Sequence, residues 1–186
     1  MPDHSPRLYI PSLGRFYAKF SPCAEAALRI GLGLILIPHG LQKLFGWLGG
    51  YGIAGTGQFF EGIGFRPGST FAAVAALAEF FGGLLLGLGL VQPLAAILII
   101  SVMITAIGSV HLGHGWFTAT NGPEVPILYA TAAATLTLTG PGTYSGDAVL
   151  GLLPLWSPTV KLAAIAIGIV GGFMNLAIRR PAAQPA

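Results

Sequence analysis

The chain has 186 residues, of which 54% are hydrophobic and only 8% charged, against roughly 25% charged in an ordinary soluble domain; too few charges remain to cover a water-facing surface, and a soluble fold is excluded. Its 28 glycines and 14 prolines do not signal disorder, because the glycines lie inside apolar runs, where membrane helices tolerate them. The net charge of +3 comes from basic residues clustered toward the termini, which suits lipid headgroups and not nucleic acid, and the single Cys23 excludes an internal disulfide, a CxxC redox pair and a thiolate zinc cage.

Residues 1–23 mix Arg7, Arg15 and Lys19 with Tyr9, Phe16, Tyr17 and Phe20, and read as a juxtamembrane or interfacial segment. They lack the apolar core of a cleavable signal peptide, so the first hydrophobic segment is expected to stay in the mature protein. The apolar run over 24–45 is long enough to cross a bilayer core of about 30 Å, yet it carries Arg29, His39 and Lys43. Residues 46–68 space Ile53, Phe59, Phe60 and Ile63 among Gly, Gln and Glu, which predicts an interfacial or re-entrant connection. A second span over 70–91 holds Glu79 near its middle, and the turn Gln92-Pro93 leads into a third over 93–112, the most apolar. A shorter fourth span over 126–139 lies between Glu124 and the breaker Gly140-Pro141-Gly142. Residues 143–158 connect it to a fifth span over 159–178, which stops at Arg179-Arg180. Five spans place the termini on opposite sides, with the N-terminus expected in the cytoplasm.

A charge near the bilayer centre costs roughly 2.5–3.5 kcal/mol on insertion scales, so it faces a protein interior or a wet cavity. In the second span Ala75, Glu79, Gly83 and Gly87 share one face, a small-residue stripe that lets another helix approach closely. In the first, Arg29, Gly33, Leu36, Gly40 and Lys43 share a face, with His39 one turn before Lys43. Ser101, Thr105, Gly108 and His111 align in the third span; Glu124, Leu128, Thr131 and Thr135 align in the fourth; Lys161, Gly168 and Asn175 align in the last. The hydroxyls and Asn175 read as helix glue. Arg29 and Lys161 sit near helix ends, where snorkelling to headgroups competes with a role inside. For Lys43 or Arg29 against Glu79, an ion pair that merely fixes helix register competes with chemistry.

The run Leu28-Arg29-Ile30-Gly31 through His39-Gly40-Leu41-Gln42-Lys43-Leu44, the Glu79 and Gly83 pattern, Asn121-Gly122-Pro123-Glu124 and Gly140-Pro141-Gly142-Thr143-Tyr144-Ser145-Gly146-Asp147 together resemble the DoxX/DoxD-like family of small integral membrane proteins over residues 24–150. The resemblance implies an all-α membrane protein: a DoxX-like four-helix transmembrane bundle, here extended by one extra C-terminal transmembrane helix within 151–186. It also implies an oxidoreductase-linked subunit near the quinone pool of a bacterial inner membrane, with a membrane or redox partner protein and a homo-oligomer as possible assemblies.

Quinone chemistry needs an apolar cleft with a few proton-transfer groups. Glu79, His39 and Lys43 are the catalytic candidates, and Arg29, His111 and Glu124 the candidate substrate-binding residues. His111 and His114 have HxxH spacing, but glycines around them favour a loop over a metal site, and nothing fixes a pair of haem ligands. Gly55-Thr56-Gly57 lacks the third glycine and the preceding strand of a dinucleotide fingerprint, so no bound flavin or nicotinamide is expected and a quinone would be a diffusible substrate. Two rival classes fit the same residues: a small-solute or proton transporter, and a non-catalytic assembly subunit whose GxxxG faces meet partners.

Overall fold

The structure, a computed structural model, describes residues 10–180. Pro11 sits in the first turn of α1 (Pro11–Phe45), where its missing N–H costs nothing, and Gly46 ends the helix in the left-handed conformation, its amide returned to the Gln42 carbonyl. α1 therefore starts well before the apolar run at Ala24, and its 35 residues extend about 52 Å at 1.5 Å per residue. Residues 11–23 form its first turns, while 1–9 lie outside the described residues. The connection expected over 46–68 contains a short helix, α2 (Gly52–Gly62), and the second span is α3 (Gly68–Leu88).

At the end of α3 the amides of Gly89 and Leu90 return to the carbonyls of Leu86 and Leu85, and Gly89 takes the left-handed conformation at φ 61° that such a closure requires. α4 (Gln92–Ala106) follows at once and continues through a π-type turn, Ile107–His111. α5 (Glu124–Thr139) ends at Gly140, where the ammonium of Lys161 covers the Leu138 carbonyl at 3.2 Å. After the single turn α6 (Gly146–Val149), α7 (Pro158–Ala177) starts with Ser157 as its cap, the hydroxyl accepting from the Val160 amide. No strand occurs among the described residues.

Four helices are long and apolar enough to cross a membrane: α1, α3, α4 with its π turn, and α7. α5 has the polarity of the expected fourth span, but its 16 residues reach only about 24 Å. It still runs antiparallel to α4, for Gln92 at the start of α4 donates to the Leu136 carbonyl near the end of α5. Counting α5, the helices α1, α3, α4, α5 and α7 alternate in direction, as the five spans read from the sequence do, so that α4 and α7 run parallel.

α4 lies at the centre, with α3, α5 and α7 packed around it and α1 against α3. Its Ala95, Ala96, Ile99, Ile100 and Met103 form the core with Leu32, Leu36, Leu86, Ala133 and Leu136. Large aliphatic and aromatic side chains such as Leu34, Leu77, Ile167 and Phe173 point outward, which suits hydrocarbon as solvent. The two small-residue stripes are used inside the chain. Gly33 faces Gly83 and Gly87 across the α1–α3 contact, and Gly168 and Gly172 seat Ile100 and Ile104 of α4. These glycine faces are filled by neighbouring helices, not offered to a partner.

Candidate functional site

Glu79 shares its face of α3 with Gly83, and the absence of a side chain at Gly83 brings α1 close: a Cβ there would stand 2.9 Å from the Leu36 Cβ and 3.1 Å from the Gly33 carbonyl. At Gly40, farther along α1, a Cβ would meet Phe80 and Ala76 at 2.7 Å. This approach carries Lys43, near the end of α1, onto Glu79, with Nζ 2.6 Å from Oε2. The ammonium also lies 3.4 Å from the His39 carbonyl. Glu79 is 7% exposed, so its carboxylate is taken out of water together with a cation, the arrangement in which a buried charge is tolerated.

The pair forms part of the wall of a cavity of about 390 Å³ between α1, α2, α3, α4 and the first turns of α5. Phe59, Phe60, Phe65, Val102, Met103 and Tyr129 give it an apolar lining, while His39, Lys43, Glu79 and His111 supply polar groups. Few, well-separated polar groups on an apolar lining are the usual make-up of a small-molecule site, and the volume falls in the usual range of about 300–1,000 Å³. His111 sits on the π turn, and its Nδ1 lies 2.8 Å from the Asn121 carbonyl. A carbonyl only accepts, so Nδ1 carries the hydrogen; in the neutral ring Nε2 is left as an acceptor. Asn121 holds its carbonyl there from a left-handed turn at φ 64°.

Of the six residues singled out from the sequence, His39, Lys43, Glu79 and His111 meet at this cavity. Arg29 and Glu124 do not line it. Arg29 lies on α1, about 21 Å along the helix from Lys43, and is 1% exposed. Its Nη2 donates to the Tyr144 carbonyl at 2.7 Å and Nη1 lies 3.3 Å from the carbonyls of Leu86 and Gly87, so it covers the open end of α3 and neither snorkels nor binds in the cavity. Glu124 accepts from the Thr118 amide at 2.7 Å and lies 3.3 Å from its hydroxyl, fastening the loop 112–123 to the start of α5.

Two residues were not read from the sequence as parts of a site. Tyr129 lines the cavity, but sits one position beyond the polar stripe of α5, on a face a seam count ignores. Asp147 is fully buried; it accepts from the amides of Val91 and Gln92 at 2.7 and 3.2 Å and from Trp156 Nε1 at 2.8 Å. Its signals in the sequence were its place at the end of the Gly140–Asp147 motif and an indole nine residues later. Among the described residues no three His, Cys, Asp or Glu side chains converge as a metal site would require.

The DoxX family model matches residues 24–112, which run from α1 through α4. No curated protein and no solved structure matches the chain. The matched stretch contains His39, Lys43, Glu79 and His111, all four of the cavity residues read from the sequence, whereas Glu124, Tyr129 and Asp147 follow it. Residues 24–112, just under half of the chain, are therefore similar to the DoxX family, and the chain is an all-α membrane protein with four helices long and apolar enough to cross a bilayer.

Proposed function

We propose that the cavity receives the ring of a quinone-class molecule, and that the chain serves as an oxidoreductase-linked subunit beside the quinone pool of a bacterial inner membrane. The observation that carries this reading is the Lys43–Glu79 ion pair in the wall of an otherwise apolar cavity, with His39 and His111 beside it. A quinone presents a flat apolar ring and two acceptor oxygens, and the aromatic lining with the Lys43 ammonium matches both. Reduction of a quinone to the quinol takes up two electrons and two protons. In this proposal the electrons come from a redox partner protein, and Glu79 and the histidines pass the protons to the ring oxygens.

The test is a titration of the protein in lipid nanodiscs with a tail-less methyl-dimethoxybenzoquinone, read by quenching of tryptophan fluorescence. Saturable quenching, lost when Ala106→Phe fills the cavity, is the expected result. Folded protein that shows no saturable quenching, or quenching untouched by that variant, overturns the proposal. Glu79→Gln should retain ring binding and slow proton-coupled reduction once a reductant is supplied.

A further inference from the structure

A second hollow of about 150 Å³ adjoins the first. The two share five residues as a common wall: Phe60, Phe65, Ala75, Val102 and Thr105. Beyond that wall the second hollow is bounded by Val74 and Ala78 of α3, Ile97 and Leu98 of α4 and Asn175 of α7. α3 and α7 both pack on α4, so the hollow is a groove across α4 between them. Val74 stands at its exposed rim, at 56%. Val74, Ala78, Ile97 and Leu98 lie inside helices apolar enough to cross a membrane, at a depth where the surroundings are hydrocarbon and not water.

The polar atoms in this groove are turned toward one another. Thr105 Oγ1 donates to the Ser101 carbonyl at 2.8 Å, and Asn175 Nδ2 lies 3.5 Å from the same hydroxyl. What faces a guest is therefore chiefly aliphatic and aromatic, with the Ser101 hydroxyl and the Asn175 amide oxygen at one side. An apolar channel that begins at lipid depth and ends against the wall of a polar-bottomed cavity suits one molecule with a polar ring and a hydrocarbon tail.

We infer that the ligand is a membrane-resident quinone whose isoprenoid tail lies in the α3–α7 groove, the ring passing in from the bilayer and the tail staying behind. The inference rests on the quinone reading of the cavity and adds the class of quinone and its route. Thr105 and Ala75, at the common wall, are where ring and tail join.

The experiment compares the tail-less benzoquinone with the same ring carrying isoprenoid units, in nanodiscs, against the native protein, Val74→Phe and Ala78→Leu. Both substitutions narrow the groove at residues that do not line the ring cavity, and Val74, being exposed, accepts a larger side chain without a clash in the core. The readout is the ratio of tailed to tail-less affinity. Because partition of the tail into lipid is the same for every variant, it cancels when these ratios are compared. The expected result is a fall of about tenfold in that ratio for both variants, with tail-less binding unchanged. A ratio that stays the same in both variants overturns the tail site while leaving ring binding standing, and means that a bulk lipid chain fills the groove instead. Absence of binding by either quinone to the native protein overturns the cavity reading and the tail site together.

Discussion

The guanidinium of Arg29 donates to the Tyr144 carbonyl at 2.7 Å, joining two positions 115 residues apart in the sequence. The same side chain reaches the Leu86 and Gly87 carbonyls, and Gly89 has no room for a Cβ beside it. Arg29→Leu is expected to lower stability by about 3 kcal/mol, because three carbonyls lose a charged donor in a buried place. Denaturant unfolding in mild detergent measures this, and quinone affinity per folded molecule should not move. Lost binding at native stability would instead put Arg29 in the site.

Asp147 accepts three hydrogen bonds through two oxygens. Asn offers one oxygen, and its amide would oppose a donor. Asp147→Asn should therefore cost about 2–3 kcal/mol, and Trp156→Phe, which leaves both oxygens with backbone donors, about 1 kcal/mol. The order of the two unfolding midpoints is the check; equal losses would mean that the indole is the stronger tie.

Lys43→Met leaves the Glu79 carboxylate buried without its cation and should destabilise by about 3–5 kcal/mol, while Lys43→Met combined with Glu79→Gln should recover most of that loss. A full double-mutant cycle in thermal unfolding gives the coupling. Coupling near zero would mean that the 2.6 Å contact contributes no net stability.

At Gly33 an added Cβ would stand 2.9 Å from the Gly87 Cα, whereas at Gly31 it meets nothing within 4 Å. Gly33→Ala should cost about 1–3 kcal/mol by forcing α1 and α3 apart. It should also weaken quinone binding, because Lys43 and Glu79 are brought together by that contact. Gly31→Ala should be neutral or slightly stabilising, since alanine is the better helix former. Equal behaviour of the two variants, in unfolding and in quinone titration, would separate helix approach from the ion pair.

Much of this arrangement can be read from residue spacing. Glu79, Gly83 and Gly87 repeat every four positions, and that alone turns the carboxylate toward a neighbouring helix; His39 and Lys43 sit one turn apart on the opposing one. His111 follows from its place at the end of α4. Arg29 defeats the same logic, because it shares the helical face of Lys43 but lies at the other end of the bundle, and periodicity reports direction around a helix without depth along it. Glu124 and Asp147 belong to loops and helix ends, where partners are backbone amides whose positions depend on tertiary folding. The length of α1 is hidden for a related reason. Its first turns are polar and mixed, so no apolar pattern marks them, although the helix continues through them.

The end of α7 reaches back across the molecule. Arg180 donates its amide to the Gly64 carbonyl at 2.8 Å, and the Arg179 side chain donates to Ile63, in the short turn that carries Phe65 between α2 and α3. Residues outside the DoxX-matched stretch thus act as a latch on the aromatic partition between the two hollows. A pull on α7, from a neighbouring subunit or from a change in bilayer thickness, would be transmitted to the side chains between the two hollows.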